Sequence, residues 1–288
     1  MNMRFRATKE FFKAIFNYRN PTIGFFILLF FILMATIGPI IVPLDMTMDF
    51  QNRFLPPSWS HPLGTDFFGR DTFSQVVHGS RDVISLGLVS ATMSITIGII
   101  IGAVAGFAGK AIDSVLNLII NVFLTIPAFP LMLILAVTLN VQTVWTSGFI
   151  LASVSWGGVA RLVRGTIISQ KYAEYVLASR VMGLSMWYII FKEMLPNTVS
   201  LLTIQFIGLF QGAIAASMGL MLLGALAFRP SNWGVMLNMA LANTGVAYNN
   251  AGLIYFFTPI VCLALLQLGC LFFTQGIDKA FDPRLRTE

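Results

Sequence analysis

Charge is what this chain lacks most. Only 10% of its 288 residues are charged, while 57% are hydrophobic, and soluble domains carry about a quarter charged residues. With a mean hydropathy of +0.81, the sequence excludes a soluble globular fold and points to an all-α, polytopic membrane protein. Cysteine is nearly missing too. Cys262 and Cys270 sit in one apolar run, which is neither a disulfide framework nor a zinc site, so both are expected as packed thiols. The two histidines, His61 and His78, lie 17 residues apart with no carboxylate constellation near them in sequence, and read as solvated or capping groups. No hydrolase motif is present: there is no Gly-x-Ser-x-Gly and no His-Glu-x-x-His. Finally, no ionisable residue falls in the middle of any long apolar run. Ion-coupled carriers usually place such groups near the bilayer midplane, which disfavours that mechanism.

What is present is a series of long uncharged intervals. A span needs about 20 apolar residues. Asn20 to Leu44 fits one span, Val83 to Gly109 a second, and Ser114 to Ala160 is long enough for two, with Asn140-Val141-Gln142-Thr143 as the turn between them. Met194 to Phe228 and Ala251 to Gln275 supply the fifth and sixth. The expected division is a basic segment over 1–21, a first transmembrane helix over 22–44, an outer segment over 45–82, and a five-helix core over 83–288 with an inner loop at 169–196.

The few charges orient these spans. With a cytoplasmic N-terminus, 14 of the 18 Lys and Arg fall on the inner side, and only Arg53, Arg70, Arg81 and Arg229 on the outer. This positive-inside bias places both termini in the cytoplasm. The net charge of +6 is therefore a topology signal rather than a nucleic-acid face, which would need its cations clustered on a folded domain. The first 19 residues, basic and carrying Phe5, Phe11, Phe12, Ile15 and Phe16, are expected along the inner membrane surface. No cleaved signal peptide is read here, because the first apolar run starts late and lacks a small-residue cleavage site.

The stretch Gly98, Gly102, Gly106, Gly109-Lys110 fails as a phosphate loop, since Val104 and Ala111 stand where Gly and Ser or Thr are needed. Glycine every fourth residue instead lines one helix face and admits a close neighbour, and Gly208 and Gly212 are expected to do the same. Among uncharged polar residues within the spans, Asn121, Gln205 and Gln211 are candidates to line a solute path, with Asn117, Thr125 and Gln267 near them in character. Hydrogen bonding between helices is an equally good reading of each.

The inner loop carries the strongest signal. Glu174-Tyr175-Val-Leu177-Ala178-Ser179-Arg180-Val-Met-Gly183, followed by Leu195-Pro196-Asn197, resembles the cytoplasmic coupling loop of ABC-importer permeases: Glu-Ala-Ala, three residues, Gly, and later Leu-Pro. The triplet here reads Leu177-Ala178-Ser179, so its first acid is absent. A second block, His61-Pro62-Leu63-Gly64-Thr65-Asp66-Phe-Phe-Gly69-Arg70-Asp71 with Gly79-Ser80-Arg81, is similar to the outer signature of dipeptide/oligopeptide-type permeases, in particular the second of their two permease subunits. Asn232-Trp-Gly-Val-Met-Leu237 and Phe281-Asp-Pro-Arg-Leu285 are similar to further blocks of that subunit.

This resemblance implies the type I ABC-importer permease fold and a transport subunit that performs no bond chemistry. It implies a heterodimer with a homologous permease, two ATP-binding subunits and an extracytoplasmic substrate-binding protein, all at a cell membrane, with no nucleic acid. No cofactor would be bound by this chain, ATP and Mg being held by partner subunits. The inner loop would dock on an ATPase, with Gly183 permitting the bend and Pro196 starting the fifth span. Short peptides would be the substrate, although oligosaccharide and nickel systems share the type. The alternative is an ion-coupled secondary transporter or channel acting without an ATPase.

Overall fold

The computed structural model describes residues 16–139, 143–226, 228–243, 246 and 248–281. The expectations for the basic N-terminal stretch, for Asn140-Val141-Gln142 and for the block following Phe281 lie outside these residues. Among the described residues the chain is helical, with no strand beyond one isolated bridge between Thr65 and Asp71. Nine helices organise it: α1 Arg19–Thr36, α2 Thr72–Phe107, α3 Lys110–Thr125, α4 Ala128–Thr138, α5 Val144–Gln170, α6 Glu174–Val181, α7 Val199–Leu222, α8 Trp233–Ala242 and α9 Asn250–Phe281.

Among the described residues, four helical stretches are long and apolar enough to cross a membrane: Arg19–Ile41, Thr72–Phe107, Met186–Leu222 and Asn250–Lys279. A fifth results if α3 and α4, bent by 85° at their junction, count as one. The bend has a local cause. Pro127 disfavours the helical region for the residue before it, and Ile126 is extended at φ −68°, ψ 129°. Helix α5, with 27 residues, spans about 40 Å at 1.5 Å per residue but is less apolar. Its interior face is built from small residues such as Ser147, Gly148, Ala152, Gly157 and Ala160, all buried.

Packing between α2 and α5 forms the spine of the molecule. A side chain on Gly98 would overlap Val159, one on Gly102 would meet Ala160 and Val163, and one on Gly106 would meet Ile167. The three glycines therefore let the two backbones approach closely, as their fourfold spacing predicts. Numbers rise together along both helices, so α2 and α5 run parallel, and the chain must return through α3 and α4 between them. In the same way α1 runs antiparallel to α9, with Gly24 against Phe273 and Ile27 against Gly269. Gly208 and Gly212 differ from the sequence reading: each faces open space, with nothing within 4 Å of an added Cβ. Among the described residues nothing packs against these two positions of α7.

The approach to α7 is irregular. Residues Ile189–Met194 are π-helical and Leu195–Thr198 form a 3₁₀ turn before the α-helix proper. Pro196 accounts for both, since it has no N–H for the preceding turn and its ring crowds the carbonyl four residues back. At the other end α7 closes on Gly224, at φ +71°, with Ala225 N–H donating to the Leu220 carbonyl at 2.8 Å.

Candidate functional site

The inner loop is built around α6. Glu174 in its first turn and Arg180 in its last oppose the ends of the helix dipole. The helix ends in a Schellman arrangement. Leu184 N–H donates to the Ser179 carbonyl at 3.1 Å and Gly183 N–H to the Arg180 carbonyl at 3.0 Å, with Gly183 at φ +74°. An L side chain resists that backbone conformation, although the space around Gly183 is open.

One face of α6 is anchored and the other is free. Val176 is fully buried beside Ile189, Ile190 and Met194. Ser179, also buried, donates its hydroxyl to the Glu193 carboxylate, 2.6 and 2.7 Å from the two oxygens. Arg180 lies over the Phe107 ring, 4.4 Å from its centroid, and Lys171 Nζ donates to the Gly106 carbonyl at 3.4 Å. The short helix thus grips the end of α2, far from it in sequence, and folds back onto the lead-in to α7 that follows it. Tyr175 Oη donates to Gln170 Oε1 at 2.9 Å. On the free face, Val181 is 89% and Met182 69% exposed, joined by Leu177, Trp187 and Tyr188. Glu174 and Ala178 are exposed too, whereas Leu195 is buried and Pro196 lies at the surface.

The outer signature folds into a compact knot at the start of α2. Asp66 is fully buried and accepts from Phe68 N–H at 2.7 Å, Arg70 N–H at 2.9 Å, Arg70 Nε at 2.9 Å and Gln75 Nε2 at 3.0 Å. Thr65 donates to the Asn52 carbonyl at 2.6 Å and accepts from Leu55 N–H at 2.8 Å. Gly64 and Gly69 supply positive φ angles of 72° and 81°, and Pro62 and Leu63 lie in the turn between His61 and Gly64. Asp71 caps α2 through Ser74 N–H at 2.7 Å, and its other oxygen lies 3.1 Å from His61 Nδ1. His61 therefore does have a carboxylate partner, from ten residues along the chain, in a capping role. His78 Nε2 lies 2.8 Å from the Val42 carbonyl. Nearby, Asp45 accepts from Thr47 N–H at 2.9 Å, which holds its carboxyl below the usual range.

The remaining sequence candidates scatter. Asn121 Oδ1 accepts from Arg161 Nη2 at 2.9 Å. Gln211 Nε2 donates to the Gln267 carbonyl at 3.0 Å and Gln267 Nε2 returns the bond to Gln211 at 3.2 Å, which is interhelical bonding. Gln205 is half-buried, with no hydrogen bond to its side chain among the described residues. Sequence reasoning did not find the Arg164–Asp113 pair, whose second contact is 2.8 Å and which ties α5 to α3. Nor did it find the Trp233 indole, buried and donating to the Val76 carbonyl at 2.9 Å. No group of three or more potential metal-ligating side chains occurs among the described residues.

A chain of apolar helices with a gripping loop at one end and a capped knot at the other is the architecture of a membrane transport subunit. Residues 98–287 match the model of the binding-protein-dependent transport system inner membrane component, and the chain belongs to that family. It is a multi-pass membrane protein. It is 34% identical over 282 residues to the dipeptide transport system permease protein DppC of Bacillus subtilis, covering 97% of this chain and 86% of that relative. The oligopeptide transport system permease protein OppC of the same organism is 30% identical over 279 residues, covering 95% and 89%. The di/tripeptide transport system permease protein DppC of Pseudomonas aeruginosa is 29% identical over 287 residues, covering 96% and 92%.

Proposed function

We propose that this chain is one of two homologous permease subunits of an ATP-driven peptide importer. It would form half of the path for short peptides delivered by an extracytoplasmic binding protein, with ATP and Mg held on two ATP-binding subunits. The observation that carries this reading is α6, a helix with one face locked to α2 and α7 and an apolar face left open. An exposed apolar patch on a short helix that also carries Glu174 and Arg180 suits a protein partner better than lipid. A partner that pushes on α6 would move α2 and the α7 lead-in with it, which suits rigid-body switching between inward and outward access.

Six crossings with both termini in the cytoplasm fit this reading. Parallel α2 and α5 require a return crossing by the bent α3–α4 pair, and α5 itself then becomes the crossing that apolarity alone does not reveal. The open face of α7, with Gly208, Gly212 and the unbonded Gln205 beside it, suits the seam with the second permease, while Asn121 and Gln211 have polar atoms engaged within this chain. The test is peptide uptake by the purified permease pair with its ATPases and loaded binding protein in liposomes. Uptake that needs ATP supports the reading, and uptake by this chain alone on an ion gradient overturns it.

A further inference from the structure

At the opposite end of α2 from the loop, about 40 Å away at 1.5 Å per residue, lies a cavity of about 740 Å³. Small-molecule sites fall at roughly 300–1,000 Å³. One wall is α2, where His78, Asp82 and Ser85 share a face and Arg81 stands beside them. Facing them are Trp145, at the start of α5, and Arg229, in the connection after α7.

The charges in this cavity are not joined by direct contacts among the described residues. Arg81, Asp82 and Arg229 make no side-chain hydrogen bond and no ion pair among the described residues, although Arg229, Arg81 and His78 all lie within electrostatic reach of Asp82. Two pairs elsewhere close on each other, Asp66 on Arg70 and Asp113 on Arg164, whereas exposed charges such as Glu174 and Lys192 form no ion pair among the described residues. Two free guanidinium groups and one free carboxylate around a cavity complement a small molecule with a carboxylate at one end and an ammonium at the other. Trp145, 67% exposed, adds an apolar surface beside them.

We infer that this cavity receives the two charged termini of a short peptide, with Arg81 and Arg229 taking its carboxylate and Asp82 its ammonium group. A planar guanidinium binds a carboxylate through two parallel hydrogen bonds, so the cavity reads the ends of the peptide and leaves its side chains unread. The inference rests on the peptide-permease reading and assigns residues to it. A neutral oligosaccharide offers hydroxyls to these groups but no opposite charge to any of the three.

The test compares the wild-type complex with Asp82→Asn, Arg229→Gln and Arg229→Lys in liposomes, using a radiolabelled dipeptide at saturating loaded binding protein. The neutral variants are expected to deliver about tenfold less peptide per ATP, the scale of one charge-assisted hydrogen bond. The half-saturating concentration of loaded binding protein should stay unchanged, and Arg229→Lys should recover part of the loss. A rise in that concentration with peptide per ATP unchanged overturns the inference, because the charges would then serve docking of the binding protein. Wild-type ratios in both neutral variants overturn it as well. A wild-type complex that takes up no peptide counts instead against the peptide-permease reading.

Discussion

The Ser179 hydroxyl on α6 spans both oxygens of the Glu193 carboxylate, at 2.6 and 2.7 Å, and so fastens the loop helix to the π-helical lead-in of α7. A bond to a charged group is worth about 1.5–3 kcal/mol when both partners are buried. Glu193 is half-buried, so the lower end of that range applies. Ser179→Ala is expected to leave the complex assembled and its ATPase active while peptide delivered per ATP falls several-fold. An unchanged ratio in the liposome assay would show that this bond carries no coupling.

Gly183 holds φ +74° with open space around it, so the cost of a side chain there is conformational rather than steric. Gly183→Ala should cost about 1–2 kcal/mol locally, loosening the end of α6 without unfolding the spans. Gly183→Leu adds bulk on the docking side, and ATP-dependent uptake should be lost while membrane insertion is kept. Membrane fractionation alongside uptake separates the two effects, and normal uptake in Gly183→Leu would contradict the loop's role.

Asp66 and Arg70 form an ion pair whose side chains are 0% and 4% exposed. Removing one partner of a buried pair leaves a charge without compensation and costs about 3–5 kcal/mol. Asp66→Ala should lower the unfolding temperature of the detergent-solubilised complex markedly, since it strands three further donors besides Arg70 Nε, and Asp66→Asn, which keeps one acceptor oxygen, should recover part of the loss. An Asp66→Ala complex that melts like wild type would show that the knot is held by something other than this carboxylate.

Glycine spacing makes opposite predictions on two helices. Gly102 is enclosed by Ala160 and Val163, so Gly102→Leu should destroy the α2–α5 contact and abolish accumulation of the protein. Gly208→Ala, facing open space, should leave the isolated chain's accumulation unchanged. On the proposed seam it would instead weaken association with the second permease. Co-purification of the two permeases from cells carrying each variant reads both outcomes.

Much of the architecture could be read from charge-free intervals, because a bilayer forces apolar length on every span. The glycines of α2 predicted close packing for the same physical reason. Gly208 and Gly212 carry the identical spacing, yet spacing alone does not say whether the neighbour is in this chain. Likewise the loop motif marked Ser179 and Gly183, but pairing Ser179 with Glu193 required the π-helical turn caused by Pro196. Asp113 and Arg164 lie on different helices, so no local pattern could join them. For His61 the sequence suggests a solvated or capping group, and the contact to Asp71 comes from a knot with positive φ at Gly64 and Gly69.

The central claim is that ATP-driven force enters through α6, and its most direct measurement is co-purification of the ATP-binding subunits with a permease whose residues 174–183 are scrambled. The claim predicts that this variant still reaches the membrane and pairs with the second permease, but recovers no ATPase and drives no uptake. Recovery of the ATPases in wild-type proportion, with normal peptide uptake, would contradict it.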